Sequence, residues 1–262
     1  MAYVLITGAS GGIGEQFARQ FAAKRRNLIL VARSQDKLEA LAKELSERHG
    51  INAQVLPKDL SKIEAADEIF ESCKSSHWEV DILINNAGFG MFGPFAQQDS
   101  KHIEQMMMIN MASLTKLTRL FLPAMIEKRS GGVINVASTA AFQPIPTLGA
   151  YAATKAYVLS LSESLHVEVA SQGVKVMALC PGPTETGFFE RAEAASGVKG
   201  QLKINLQPAD EVVALAISRF EKGERVTIPG LLNKVGAYSA SLAPKSFVLK
   251  IAGKMIKAGT GI

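Results

Sequence analysis

Cysteine is scarce: the 262-residue chain has two, Cys73 and Cys180. Two thiols cannot supply a disulfide framework, so the fold must rest on an apolar core, and both read as reduced structural residues. No uninterrupted apolar run approaches bilayer length, and no basic segment precedes the first apolar strand at Tyr3. A soluble cytoplasmic protein without a secretory leader is therefore expected. The chain also lacks an internal repeat, a low-complexity tract and a linker, which favours one large domain over two small ones. Acidic residues are absent from one region. After Pro229 come Lys234, Lys245, Lys250, Lys254 and Lys257 with no Asp or Glu, so the whole formal charge of +5 lies there and the rest balances to zero.

Hydrophobic residues make up 47% of the chain, enough to bury a full core. Strand-like runs at 3–6, 27–32, 53–56, 81–85, 132–137, 174–179 and 225–228 alternate with helix-like stretches. Such alternation predicts an α/β fold, a parallel sheet of about seven strands with helices on both faces. The connection 181–207 is longer than a compact link needs and is expected to fold over the site as a lid. A catalytic domain over 1–229 and an extension over 230–262 follow from this pattern.

Two features carry chemistry. Gly8, Gly12 and Gly14 follow the first apolar run and precede Phe17, Ala18, Phe21 and Ala22 at helical spacing, giving strand, glycine turn, helix. Glycines there let the backbone approach a pyrophosphate, which the amides and dipole of the helix N-terminus hold. Further on, Tyr151 and Lys155 stand at i and i+4, thirteen residues after Ser138. They share one helix face, so a phenol and an ammonium can converge on one substrate oxygen. A neighbouring cation favours the phenolate, and a phenol that titrates near pH ~10 needs such a neighbour to act near neutrality. Taken singly, each has an ordinary alternative: a tight turn, or two polar residues facing solvent.

The glycine spacing is Thr-Gly-x-x-x-Gly-x-Gly, not Gly-x-Gly-x-x-Gly. With Asn85-Asn86-Ala87-Gly88, Asn110, Ser138, Tyr151-Ala-Ala-Thr-Lys155 and Pro181-Gly182 followed by Thr186, the chain resembles the short-chain dehydrogenase/reductase family from residue 3 to about residue 230. Within that family it is most similar to bacterial oxidoreductases related to long-chain ketoacyl and 17-beta-hydroxysteroid reductases. The resemblance implies a single Rossmann-type doubly wound sheet, hydride transfer between a nicotinamide dinucleotide and a carbonyl, no metal, and a homo-oligomer, dimer or tetramer. Subunits would pair through helices over 110–128 and 152–172. It also implies site roles. Ser138 and Tyr151 hold the reacting oxygen, with Tyr151 the proton donor. Lys155 tunes Tyr151 and bonds the nicotinamide ribose, and Asn110 holds a water between Lys155 and solvent. Gly8, Ser10, Gly12, Ile13 and Gly14 form the phosphate turn. Asp59 and Leu60 bracket the adenine, while Asn86, Ala87 and Gly88 line the path to the ribose. Pro181, Gly182, Thr184 and Thr186 lie beside the nicotinamide. Where NAD-binding members carry an acid after the second strand, this chain has Ala32 and then Arg33, whose guanidinium can grip a 2′-phosphate, so NADP(H) is the expected cofactor. An NAD-dependent alcohol dehydrogenase and a non-catalytic dinucleotide sensor are the alternatives; Arg33 counts against the first and the intact Ser138, Tyr151 and Lys155 set against the second.

Phe89, Phe92, Phe95, Phe142, Phe188 and Phe189 are half of the phenylalanines, and all fall in segments expected to border the site, which fits an apolar substrate and equally fits rings that pack the lid onto the body. His166 reads as a helix-surface residue. From 245 to 258, helical spacing gathers Val248, Ile251, Ala252, Met255 and Ile256 opposite Lys250, Lys254 and Lys257. Packing of that apolar face on the body or a partner subunit is the commoner outcome for such a helix, contact with a membrane surface the less common one. Nucleic acid is not expected, because the segment lacks aromatic platforms and arginines.

Overall fold

The computed structural model describes residues 2–188 and 206–260, with side chains as far as 254. Seven strands form one parallel sheet: β1 (Ala2–Thr7), β2 (Asn27–Ala32), β3 (Ala53–Pro57), β4 (Glu79–Asn85), β5 (Gly132–Val136), β6 (Lys175–Leu179) and β7 (Val226–Thr227), in the order β3-β2-β1-β4-β5-β6-β7. The expected strands are all present, with ends that differ by one or two residues; β7 is shortened to two. Val4, Leu5 and Ile6 of β1 are fully buried, as are Leu28 to Val31 of β2. Continuous apolar runs of this kind suit a sheet covered on both faces.

Nine helices are described: α1 (Gly12–Ala23), α2 (Gln35–His49), α3 (Ala65–Ser75), α4 (Ser100–Met107), α5 (Leu114–Glu127), α6 (Gly149–Ala170), α7 (Ala209–Glu221), α8 (Leu231–Leu242) and α9 (Lys245–Thr260). Phe17 and Phe21 of α1, Leu38 and Leu45 of α2, and Val213 and Phe220 of α7 fill one face of the sheet. On the other face sit Ile69 of α3, Leu117 and Phe121 of α5, and Val169 of α6. This is the doubly wound architecture expected from the alternation of elements. His166 is not a free surface residue: its Nδ1 donates to Val176 O at 2.9 Å, tying α6 to β6 across a gap that local periodicity does not register.

Strand order reverses between β1 and β4, so chain continuity leaves a crevice beyond their C-terminal ends. Ligands of open α/β sheets bind at such a point. The turn after β1 and the segment after β4 meet there. Thr7 Oγ1 accepts from the backbone N–H of Asn86 at 2.9 Å and of Ala87 at 3.0 Å, and donates to Ile84 O. Asn86 Nδ2 in turn donates to Thr7 O at 2.9 Å and Gly8 O at 3.3 Å.

Candidate active site

The glycine turn is built for close approach. Gly12 has φ +57°, in the left-handed region, and a Cβ there would stand 2.8 Å from Thr186 Cβ. At Gly14 a Cβ would stand 2.2 Å from Gly8 O, so only glycine lets α1 start hard against the end of β1. Ile13 packs partly on the core beneath, while Ser10 and Gly11 are half-exposed at the mouth of the turn. Bare backbone at the N-terminus of a helix is a cradle that fits a pyrophosphate.

Arg33 directly follows β2, is exposed, and makes no hydrogen bond or ion pair with the described residues. Its guanidinium is available to an anion beside the cradle. Asp59 Oδ1 accepts from Ser61 N at 3.0 Å, the local turn bond its residue type favours. Leu60 is buried, and its carbonyl accepts from Ser113 Oγ at 2.7 Å.

On the other side of the crevice, α6 presents Tyr151 and Lys155, both buried. Ser138, two residues past β5, neighbours the Tyr151 phenol and acts to lower its pKa, while its Oγ accepts from Ala140 N at 3.1 Å. Lys155 Nζ lies 5.8 Å from the centroid of the Tyr151 ring and donates to Val136 O at 2.7 Å. Lys155 is not among the groups that shift the Tyr151 pKa most. Burial pushes the phenol up to about 12, with the neighbouring Ser138 hydroxyl acting against it. Burial also pulls Lys155 down to about 8. The physical reason is desolvation: both charged forms lose water on burial. Tyr151 is thus held as a phenol at neutral pH, and Lys155 gives up its proton more readily than an ordinary lysine.

Asn110 is fully buried in a π-helical turn, Met108–Ser113, between α4 and α5. Its Nδ2 donates to Phe89 O and Thr154 Oγ1, both at 3.0 Å, and its Oδ1 accepts from Phe89 N at 3.2 Å. The amide therefore fixes the 87–90 segment, and a water between it and Lys155 would fall to the remaining acceptor capacity of Oδ1. Gly88 runs between them: a Cβ there would meet Asn110 Oδ1 at 2.9 Å and Lys155 Nζ at 3.5 Å.

Two positioning residues carry no signal beyond their place inside motifs. Thr154 Oγ1 accepts from Asn110 and donates to Tyr151 O at 2.8 Å, joining the π turn to α6. Asn85 Nδ2 donates to Thr118 Oγ1 and to Asn135 Oδ1, both at 2.9 Å, and Asn135 Nδ2 donates to Ser162 Oγ at 3.0 Å. This buried polar chain fixes β4, β5, α5 and α6 relative to one another under the site. Cys180 is fully buried near Lys155 and Tyr151, its thiol pushed up to about 12 by burial and so neutral.

Pro181 O accepts from Thr139 N at 2.9 Å, which ties the end of β6 to the Ser138 turn. Thr184 Oγ1 donates to Gly182 O at 2.9 Å, and the Thr184 backbone pairs with that of Gln207, so the connection 181–207 starts and ends at one place. Most of the expected lid, 189–205, and with it Phe189, lies outside the described residues. Asn233, in the first turn of α8, went unread in the sequence. Its Nδ2 donates to Gln207 Oε1 at 3.0 Å and Pro229 O at 2.9 Å, and a Cβ on Gly182 would stand 2.4 Å from it.

Phe188 meets the Tyr151 ring at 5.4 Å between centroids, and Phe89 joins the same cluster with Met106 and Ala140. Phe142 follows Ser138 and packs edge-on against Tyr238 of α8 at 5.9 Å. Phe92 is half-buried on the 87–93 segment. Phe95 is 68% exposed and does not join them, because the turn Phe95–Gln97 points it outward. A separate cleft of about 560 Å³ opens at the opposite end of the sheet, between Phe21, Arg26, Asp81, Arg129, Lys175 and Phe220. Its cations are already engaged, Arg26 with Asp81 and Lys175 with Glu221 O, and it shares nothing with the crevice.

With this geometry in place, comparisons with known proteins agree on its kind. The model of the short chain dehydrogenase family matches residues 2–197. The chain is 34% identical over 226 residues to hydroxysteroid dehydrogenase-like protein 1 of Gallus gallus, covering 85% of this chain and 66% of that one. It is 34% identical over 186 residues to very-long-chain 3-oxoacyl-CoA reductase of Anas platyrhynchos, covering 69% of this chain and 59% of that one. The chain thus spans less than two thirds of the length of these relatives. A solved short-chain dehydrogenase from Sphingobium yanoikuyae in complex with NADPH matches at a TM-score of 0.82 and 33% identity, covering 94% of this chain and 97% of that one.

Proposed function

The chain belongs to the short-chain dehydrogenase/reductase family, and on that premise we propose that it is an NADPH-dependent reductase of apolar ketones or aldehydes. The observation that carries the reading is the buried Tyr151 phenol, kept in its protonated form by desolvation, with Ser138 beside it and Lys155 Nζ 5.8 Å from its ring centroid. A group in that state gives a proton. It is suited to the reductive direction, in which negative charge builds on the carbonyl oxygen and must meet pre-placed donors.

NADP(H) fits the residues present, and the solved relative bound to NADPH supports that choice. The bare turn at Gly12 and Gly14 would hold the pyrophosphate, Arg33 the 2′-phosphate, and Asp59 and Leu60 the adenine side. Asn86, Ala87, Gly88 and Lys155 would hold the nicotinamide ribose, and Pro181, Gly182, Thr184 and Thr186 the nicotinamide itself. Bound there, NADPH supplies a hydride to the carbonyl carbon. Ser138 orients the carbonyl oxygen by hydrogen bonding. Tyr151 gives it a proton, and Lys155 offsets the charge left on the phenol oxygen. Phe89, Phe142 and Phe188 give the substrate an apolar wall. The relatives, hydroxysteroid dehydrogenase-like protein 1 and very-long-chain 3-oxoacyl-CoA reductase, are in keeping with large apolar substrates.

Steady-state rates with NADPH and NADH over a panel of aliphatic, aromatic, acyl-thioester and steroid ketones test the reading; no oxidation of NADPH by any of them would sink it. Arg33→Ala should weaken NADPH by roughly 10- to 150-fold and leave NADH nearly unchanged, since a charge-assisted bond is worth about 1.5 to 3 kcal/mol and NADH offers it no phosphate. If the wild type does not prefer NADPH, or the preference survives the change, the assignment of Arg33 fails.

The pH profile gives an independent check. Lys155 is charged below about 8 and neutral above it, so kcat/KM for reduction should fall as pH rises through that value. Lys155→Arg, charged at every accessible pH, should remove this fall from whatever activity it retains. A wild-type profile flat to about pH 10 would show that the Lys155 charge is not needed.

A further inference from the structure

The basic tail carries a large apolar surface that the fold does not cover. In α8 the covered side is narrow, with Ala237 buried. On the opposite side Leu231, Val235, Tyr238 and Leu242 follow one another at i, i+4, i+7 and i+11, a single helical stripe. Leu231 is 77% exposed, Leu242 87%, and the neighbouring Leu232 89%. After Ala243 and Pro244, α9 repeats the pattern: Val248 and Ala252 are covered, whereas Phe247, Leu249 and Ile251 are not. Of the apolar face expected to pack over 245–258, Val248 and Ala252 are covered and Ile251 is 45% exposed, while the side chains of Met255 and Ile256 lie outside the described ones. Lys234, Lys245, Lys250 and Lys254 are exposed along the same two helices, and none is in an ion pair among the described residues.

We propose that the α8–α9 surface docks on an anionic lipid surface, with its leucines and Phe247 entering the headgroup boundary and its lysines meeting lipid phosphates. Charge decides among the occupants. Five lysines and no acid lie beyond Pro229. A symmetric contact with a second copy brings the same patch against itself, setting lysines against lysines. Large apolar side chains interspersed with lysines are the pattern of helices that lie in an interface, and each lysine near such a surface adds attraction. No helix among the described residues is long and apolar enough to cross a membrane, so the contact is peripheral. Tyr238 also touches Phe142, so docking holds the mouth of the crevice close to the lipid. That consequence rests on the function proposed above, whereas the test below reads binding alone.

Full-length protein should float with phosphatidylcholine vesicles containing roughly one third phosphatidylglycerol at about 50 mM salt, and be released at about 500 mM. Pure phosphatidylcholine should retain much less. Lys245→Gln/Lys250→Gln/Lys254→Gln should weaken binding on the order of a hundredfold, with reduction of a water-soluble ketone unchanged. Leu231→Ser/Leu242→Ser should also release the protein while its mass by light scattering stays the same. The proposal is overturned by absence of flotation at low salt, by flotation that survives the triple lysine change, or by a leucine variant whose oligomeric mass falls. The last outcome would give the face to a second copy. Inactivity of the wild type on every ketone would count against the enzymatic reading and leave the flotation result standing.

Discussion

Tyr151→Phe should lower carbonyl reduction by about 10²- to 10⁴-fold, the usual effect of deleting a proton donor, while NADPH affinity stays within a few-fold of wild type. The separation follows from where the ring sits. Its contacts with Phe188, Met106 and Ala140 are made by carbon, and phenylalanine keeps them. The hydroxyl belongs to α6 beside Ser138, whereas the phosphate turn is built by residues 8–14 after β1, so its removal deletes the donor without altering a cradle residue. Lys155→Ala differs. It removes a cation beneath the ring and the bond to Val136 O, so both turnover and dinucleotide binding should suffer. Single-turnover rates and a fluorescence titration of NADPH on the same preparations separate the two effects. Comparable turnover by Tyr151→Phe, on any substrate the wild type reduces, would remove Tyr151 from its role.

The contrast between these residues shows what a sequence makes legible. The glycine turn and the Tyr151–Lys155 pair are readable because their geometry is local. A helix fixes i and i+4 on one face, and a strand–turn–helix fixes where glycine must stand. The parallel class of the sheet is readable too, since strands buried on both faces write continuous apolar runs, whereas their order is not. What escapes is set by contacts distant in the chain. Asn233 determines why Gly182 has no side chain, yet fifty-one residues separate them. The π turn that buries Asn110 is invisible to a 3.6-residue period. A helix face tells which groups are near Tyr151, not how much water they have lost, and here desolvation raises the phenol. The tail was legible as amphipathic, but which apolar residues the body covers is a matter of tertiary packing.

Gly14→Ala puts the largest strain into the smallest change. The added Cβ would stand 2.2 Å from Gly8 O and 2.5 Å from Asn86 Nδ2. Neither can retreat easily. Gly8 O and Thr7 O both accept from Asn86 Nδ2, and Thr7 Oγ1 holds the Asn86 and Ala87 amides from the other side. Helix α1 is equally fixed by Phe17, Ala18 and Phe21 in the core. Overpacking of this kind costs about 1 to 3 kcal/mol, and backbone atoms on both sides place it at the upper end. At that size a domain of this length loses roughly 6 to 12 °C in melting temperature. The only relief is for the first turn of α1 to move away from β1, which widens the cradle and should abolish measurable NADPH binding. Gly11→Ala is the internal control for stability: no heavy atom lies within 4 Å of its Cβ position and its backbone is extended, so its melting temperature should match wild type. Thermal unfolding and NADPH titration of both variants decide the point. A Gly14→Ala protein that melts like wild type would refute the packing argument, and one that melts early yet binds NADPH normally would show that the turn does not hold the pyrophosphate.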